Sequence, residues 1–110
     1  MILHEKVNKK ECYRIFYSTE QTCFILACII TETVWYENYF FLTKEEYDYF
    51  ISDMRHLNRI AESCFILGRI SPRFLGSQKI FENRTEQQQQ FAKSITAEIN
   101  QNNKKLSEGI

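Results

Sequence analysis

The sequence predicts an α+β domain: an antiparallel sheet of about four or five strands packed with two main helices. Three observations carry that expectation. Apolar and polar residues alternate with a period of two early in the chain, the pattern of a half-buried strand. A capping box at Thr43-Lys44-Glu45-Glu46 then opens a segment with helical spacing. A second, narrower helical stripe runs through Phe91, Ile95 and Ile99, with Ala92 beside it.

The elements follow in order. Ile2 to Val7 reads as a short extended segment, and Asn8-Lys9-Lys10-Glu11 as a polar turn. From Cys12 to Tyr17 the chain alternates, with Tyr13, Ile15 and Tyr17 on one face. Ser18-Thr19-Glu20-Gln21 is the next break. Thr22 to Thr31 is rich in β-branched and apolar residues, as a central strand covered on both faces should be. Strand-forming residues continue from Thr33 to Phe41, so a hairpin turns at Thr31-Glu32 or at Glu37-Asn38. The second position is favoured, because Asn tolerates turn dihedrals best.

In the capping box the Thr43 hydroxyl meets the Glu46 amide and the Glu46 carboxylate meets the Thr43 amide. Leu42 and Tyr47 occupy the positions of a hydrophobic staple. Tyr47, Phe50, Ile51, Met54, Leu57, Ala61 and Cys64 recur at threes and fours, which predicts one amphipathic helix to about Cys64. Phe65 to Ile70 is a strand or the tail of that helix. Ser71-Pro72 ends regular structure. Leu75-Gly76-Ser77 reads as a loop, Gln78 to Glu82 as a short edge strand, and Asn83 as the cap of the last helix with Glu86 three residues on. Beyond Asn100 the chain is polar and is expected to fray.

Composition narrows the function classes. The chain has 110 residues, one domain (1–110) by size. Its formal net charge is zero, so no global field attracts nucleic acid or an anionic membrane. The charges are nevertheless polarised. Glu32, Glu37, Glu45, Glu46, Asp48 and Asp53 face a single Lys44 between positions 31 and 53, and the balance reverses after Met54. The longest apolar run, Phe24 to Ile30, falls far short of the roughly 20 residues of a membrane span. The first ten residues lack a signal-peptide pattern, and a cytoplasmic location is the expectation. Cys12, Cys23, Cys28 and Cys64 form no C-x-x-C pair and are expected to be reduced, packed thiols. Cys23 and Cys28, an odd number of residues apart on one strand, should point to opposite faces.

No catalytic, cofactor or metal motif stands out. His4 and His56 lack ligand spacing, and neither a nucleophile elbow nor a glycine-rich phosphate loop occurs. An enzyme would need a constellation spread over unrelated segments. Two binding surfaces remain. The first is acidic and aromatic: Trp35, Tyr36, Glu37, Tyr39, Glu45, Asp48 and Tyr49 lie within fifteen residues. Trp and Tyr dominate binding hot spots, and carboxylates beside them suit a basic protein partner. The competing expectation is that most of these rings are core. The second surface is Arg55, Arg59, Arg69 and Arg73 interleaved with Phe65 and Phe74, which would serve a small nucleic-acid-binding regulator.

The segment Trp35-Tyr36-x-x-Tyr39-Phe40-x-Leu42-Thr43-x-Glu45-Glu46-Tyr47, between a strand and an amphipathic helix, resembles the bacterial immunity proteins of contact-dependent growth-inhibition systems. The resemblance covers Cys23 to Cys64. It implies a cytoplasmic protein that binds and neutralises a cognate toxin domain, often a nuclease, by occluding its active site. It implies no cofactor, no direct contact with nucleic acid and no membrane. One departure is the neutral net charge, where inhibitors of nucleases are often strongly acidic.

Overall fold

The computed structural model describes residues 1–108. Five strands form one antiparallel sheet in sequence order: β1 (Ile2–Asn8), β2 (Tyr13–Ser18), β3 (Cys23–Thr31), β4 (Trp35–Leu42) and β5 (Phe74–Ser77). Three α-helices accompany them: α1 (Lys44–Ser52), α2 (Met54–Leu67) and α3 (Glu86–Glu108). The α+β expectation therefore stands, with one helix more than the two anticipated.

Alternation along the strands builds two cores. One face of the sheet packs Tyr13, Ile15, Leu26, Cys28, Phe40 and Leu42 against Leu57, Ile60, Ala61 and Cys64 of α2. The other packs Phe16, Ile25, Ala27 and Tyr39 against Ile95 of α3. β3 is thus apolar on both sides because both sides are covered. Cys28 belongs to the first core and Cys23 packs against the second, as their spacing requires. All four thiols are free; Cys12 is exposed, correcting the expectation that it packs inside.

Several boundaries differ from the sequence reading. The β3–β4 hairpin turns at positions 32–34, with Thr31 opposite Trp35, and not at Glu37-Asn38. Asn38 is instead buried in mid-strand, opposite Cys28 on one side and Ser77 on the other. The expected single helix is two. Asp53 leaves helical geometry (φ −158°, ψ 69°), donates its amide to Tyr49 O and accepts from the His56 amide, ending α1 and starting α2. The capping box at Thr43 is present in full, and the staple residues Leu42 and Tyr47 share the first core.

Phe65 to Leu67 is helix tail; Gly68, at φ +53°, closes α2 in a conformation that L side chains resist. The supposed loop at Leu75-Gly76-Ser77 is most of β5, and the supposed edge strand at Gln78 to Glu82 includes a 3-10 turn, Ile80–Glu82. Asn83 does not cap α3; its amide bonds both backbone groups of Ser77. Thr85 is the cap, accepting from the Gln88 amide, while Gln88 Oε1 accepts from the amides of Arg84 and Thr85. α3 continues to Glu108 in place of ending near Asn100; positions 109 and 110 lie outside the described residues.

Gly76 lets β5 touch α3. A Cβ there would lie 3.0 Å from Gln88 O and 3.1 Å from Phe91 Cδ1. Gly76→Val should cost about 2 kcal/mol by overpacking, because a helix backbone cannot yield as a side chain can. A denaturant titration showing an unchanged midpoint would contradict this.

Candidate functional site

The seven residues of the acidic aromatic surface do not form one site. Trp35 and Tyr36 lie at the start of β4, beside the hairpin turn, whereas Glu45, Asp48 and Tyr49 lie on α1, beyond the other end of the strand. Trp35 is 72% exposed and Tyr36 is half-buried. Tyr39 is wholly buried in the second core, so it cannot meet a partner. Its hydroxyl donates to Glu37, and burial pushes its pKa well above the ordinary range. Glu37 is not free either: Arg14 grips both its oxygens at 2.8 Å and also reaches Glu5. On α1, Asp48 pairs with Lys44 at 2.9 Å, and Glu45 only approaches the Tyr49 hydroxyl at 3.4 Å. The Tyr49 ring stacks on His56 with centroids 4.5 Å apart.

The four arginines are dispersed in the same way. Arg69 pairs with Glu82 at 3.6 Å. Arg73 makes a two-pronged bond to Glu46, one arm at 2.7 Å, tying α1 to the start of β5. Arg55 and Arg59 are exposed and line an open groove with Arg73 and His56. Phe74 is core and Phe65 stands on a different groove, so neither supplies a stacking platform beside Arg55.

The Arg73 guanidinium, followed by the Thr43 amide, holds the Glu46 carboxyl down to about 2 against the opposing effect of burial. A carboxylate whose pKa falls on folding adds stability above its unfolded value, near 4.5, and loses it as pH drops towards 2. Glu46→Gln should therefore cost about 2 kcal/mol at pH 7, allowing for screening of the partly exposed pair. The gap to wild type should narrow between pH 4.5 and 2. Unfolding titrations at several pH values check this; a constant gap would refute it.

What the molecule does present is an apolar end of the sheet. Val34 and Trp35 project from the β3–β4 hairpin. Phe65, Ile66 and Leu67 at the end of α2, with Ile70 in the 3-10 turn Gly68–Ile70, are exposed beside it. Ile80 and Phe81, the latter 85% exposed, stand on the 3-10 turn Ile80–Glu82, where Ile80 also borders α3. Specific contacts join these segments. Lys79 bonds Glu32 at 3.3 Å and lies 5.2 Å from the Tyr36 ring, and the Arg69–Glu82 pair links the two 3-10 turns. Between them runs an open groove of about 420 Å³, walled by Ile30, Tyr36, Phe65, Leu67 and Ile70. Trp35 and Tyr36, adjacent on a strand, point to opposite faces, so the apolar surface wraps the sheet end.

The sequence singles out Trp35 and Tyr36, and Phe65 only as a ring among the arginines, but not the other segments. One signal was available: Phe65, Ile66 and Leu67 are three consecutive apolar residues at the end of the 57, 61, 64 stripe, and at most one of them can continue it.

Among the described residues no group of three or more His, Cys, Asp or Glu side chains is placed to hold a metal ion, and no helix is long and apolar enough to cross a membrane. No protein-family model, curated protein or solved structure matches the chain.

Proposed function

We propose that the chain is an immunity protein: it binds a cognate bacterial toxin domain in the cytoplasm and neutralises it by occlusion, without catalysis of its own. The observation that carries the docking part is the pair of exposed rings Trp35 and Phe81, on segments that the Lys79–Glu32 contact joins. Large exposed aromatics supply binding energy when a partner desolvates them. The toxin assignment rests on the resemblance of the β3–α2 region to immunity proteins of growth-inhibition systems.

The docking chemistry differs from a purely electrostatic one. Glu37 and Asp48 already have basic partners within the chain, so charge reversal there removes internal pairs more than it removes a docking field. Apolar burial carries this interface, and its affinity should fall little with salt. Lasting protection needs a dissociation constant near nanomolar, about −12 kcal/mol. A standard interface of roughly 800 Å² per partner can reach that when a few rings are fully buried.

The test is coexpression with the toxin domain that, on this reading, a neighbouring gene of the same locus encodes. Restored growth and co-purification of the two proteins support the reading. Continued toxicity with no complex overturns it.

A further inference from the structure

β5 is an edge strand: β4 lies on one side of it and no strand of the sheet on the other. An open edge offers unpaired amides and carbonyls to any second chain. On the β4 side, Phe41 donates its amide to Arg73 O at 2.8 Å, and Gln78 donates its own to Glu37 O at 2.9 Å. Ser77 precedes Gln78, so its backbone N–H and C=O face the outer side. One side chain takes both. Asn83 Oδ1 accepts from the Ser77 amide at 2.8 Å, and Asn83 Nδ2 donates to Ser77 O at 2.9 Å. The Phe74 amide turns back to Ser71 O at 3.0 Å.

Facing residues in an antiparallel ladder exchange one N–H and one C=O each way, and a carboxamide carries the same donor and acceptor side by side. Asn83 is held in that place. It is 7% exposed, its own amide donates to Ile80 O at 3.1 Å, and the Lys79 amide donates to Ser77 Oγ at 3.0 Å. The opposite edge of the sheet is blunted by other means. β1 shifts register between Leu3 and Lys6, His4 sits at φ +56°, and the Tyr47 hydroxyl donates to His4 O at 2.6 Å. A bulge of that kind twists an edge away from pairing.

We propose that Asn83 is an edge plug: it stands in for a sixth strand at Ser77 and keeps β5 from pairing with the β5 of a second copy of the chain. Alanine in its place leaves the Ser77 N–H and C=O without partners, and an added strand restores both bonds.

The experiment compares the wild-type chain with Asn83→Ala by sedimentation over a range of concentrations, with hydrogen exchange read at the Ser77 amide. Asn83→Ala should pass reversibly from monomer to dimer as concentration rises, and its Ser77 amide should become protected only in the dimer. A folded variant that stays monomeric overturns the proposal. So does a dimer in which the Ser77 amide exchanges freely, because association then runs through another surface. The wild type gives a second readout that needs no variant to fold. Its Ser77 amide should exchange at least about a hundredfold more slowly than in an unfolded chain, at a rate independent of protein concentration. Free exchange there would mean that Asn83 does not hold the edge, and protection that grows with concentration would mean that the edge is already open to a second copy; either overturns the proposal.

Discussion

Phe81→Glu should weaken partner binding by at least about a hundredfold, close to 3 kcal/mol, the loss typical of a central aromatic anchor. The ring is 85% exposed in the free chain, on the 3-10 turn that follows β5. It contributes little to folding, so the unfolding midpoint should hardly move. A carboxylate in its place must be desolvated against Ile80 and the apolar walls nearby, adding a penalty to the lost contact. Titration calorimetry against the proposed toxin-domain partner gives the affinity, and a thermal melt gives the stability. Unchanged affinity would remove the 3-10 turn from the interface. Lost affinity with an equally lowered melting temperature would point to misfolding.

Arg14→Ala should destabilise the fold by about 3 kcal/mol. Arg14 lies on β2 with Glu5 on β1 and Glu37 on β4, and its guanidinium also sits 5.1 Å from the Phe16 ring. Glu37 is only 14% exposed, and without Arg14 its charge would face the Tyr39 hydroxyl alone. Removing one member of a nearly buried pair leaves an uncompensated charge, whereas replacing both with apolar groups is often neutral. Arg14→Met combined with Glu37→Leu should therefore recover most of the loss. A double-mutant cycle by urea unfolding checks this; additive losses would mean the pair is not coupled.

This network also shows why the acidic aromatic surface looked whole in sequence and is not whole in space. Trp35, Tyr36, Glu37 and Tyr39 are close along the chain, but a strand sends alternate side chains to opposite faces. Charge patterning counts Glu37 as free because Arg14 is 23 residues away. The local signals were reliable where one short-range force dominates. Alternation gave β2, the run of β-branched and apolar residues gave β3, the capping box gave the start of α1, and Phe91 and Ile95 gave the buried stripe of α3.

Local signals failed where a distant contact decides. Asn38 has turn propensity but is held in mid-strand between β3 and β5. Gly76 reads as a loop residue, yet it is glycine because the α3 backbone passes so close. Asp53 interrupts a continuous apolar stripe, and periodicity cannot register one residue leaving helical geometry. Ile51 falls on that stripe by spacing, yet it is exposed. The apolar end of the sheet was hidden for the same reason: its segments, near positions 34, 66 and 80, meet only after folding.

The sequence contains one tryptophan, Trp35, and it stands on the surface in question. Its fluorescence is therefore a site-specific reporter of docking. Adding the proposed toxin-domain partner to the free chain should shift the emission to shorter wavelength and protect the indole from a soluble quencher. A complex that forms while the emission and the quenching stay those of a water-exposed indole would place the partner elsewhere and contradict the assignment of this end of the sheet as the docking surface.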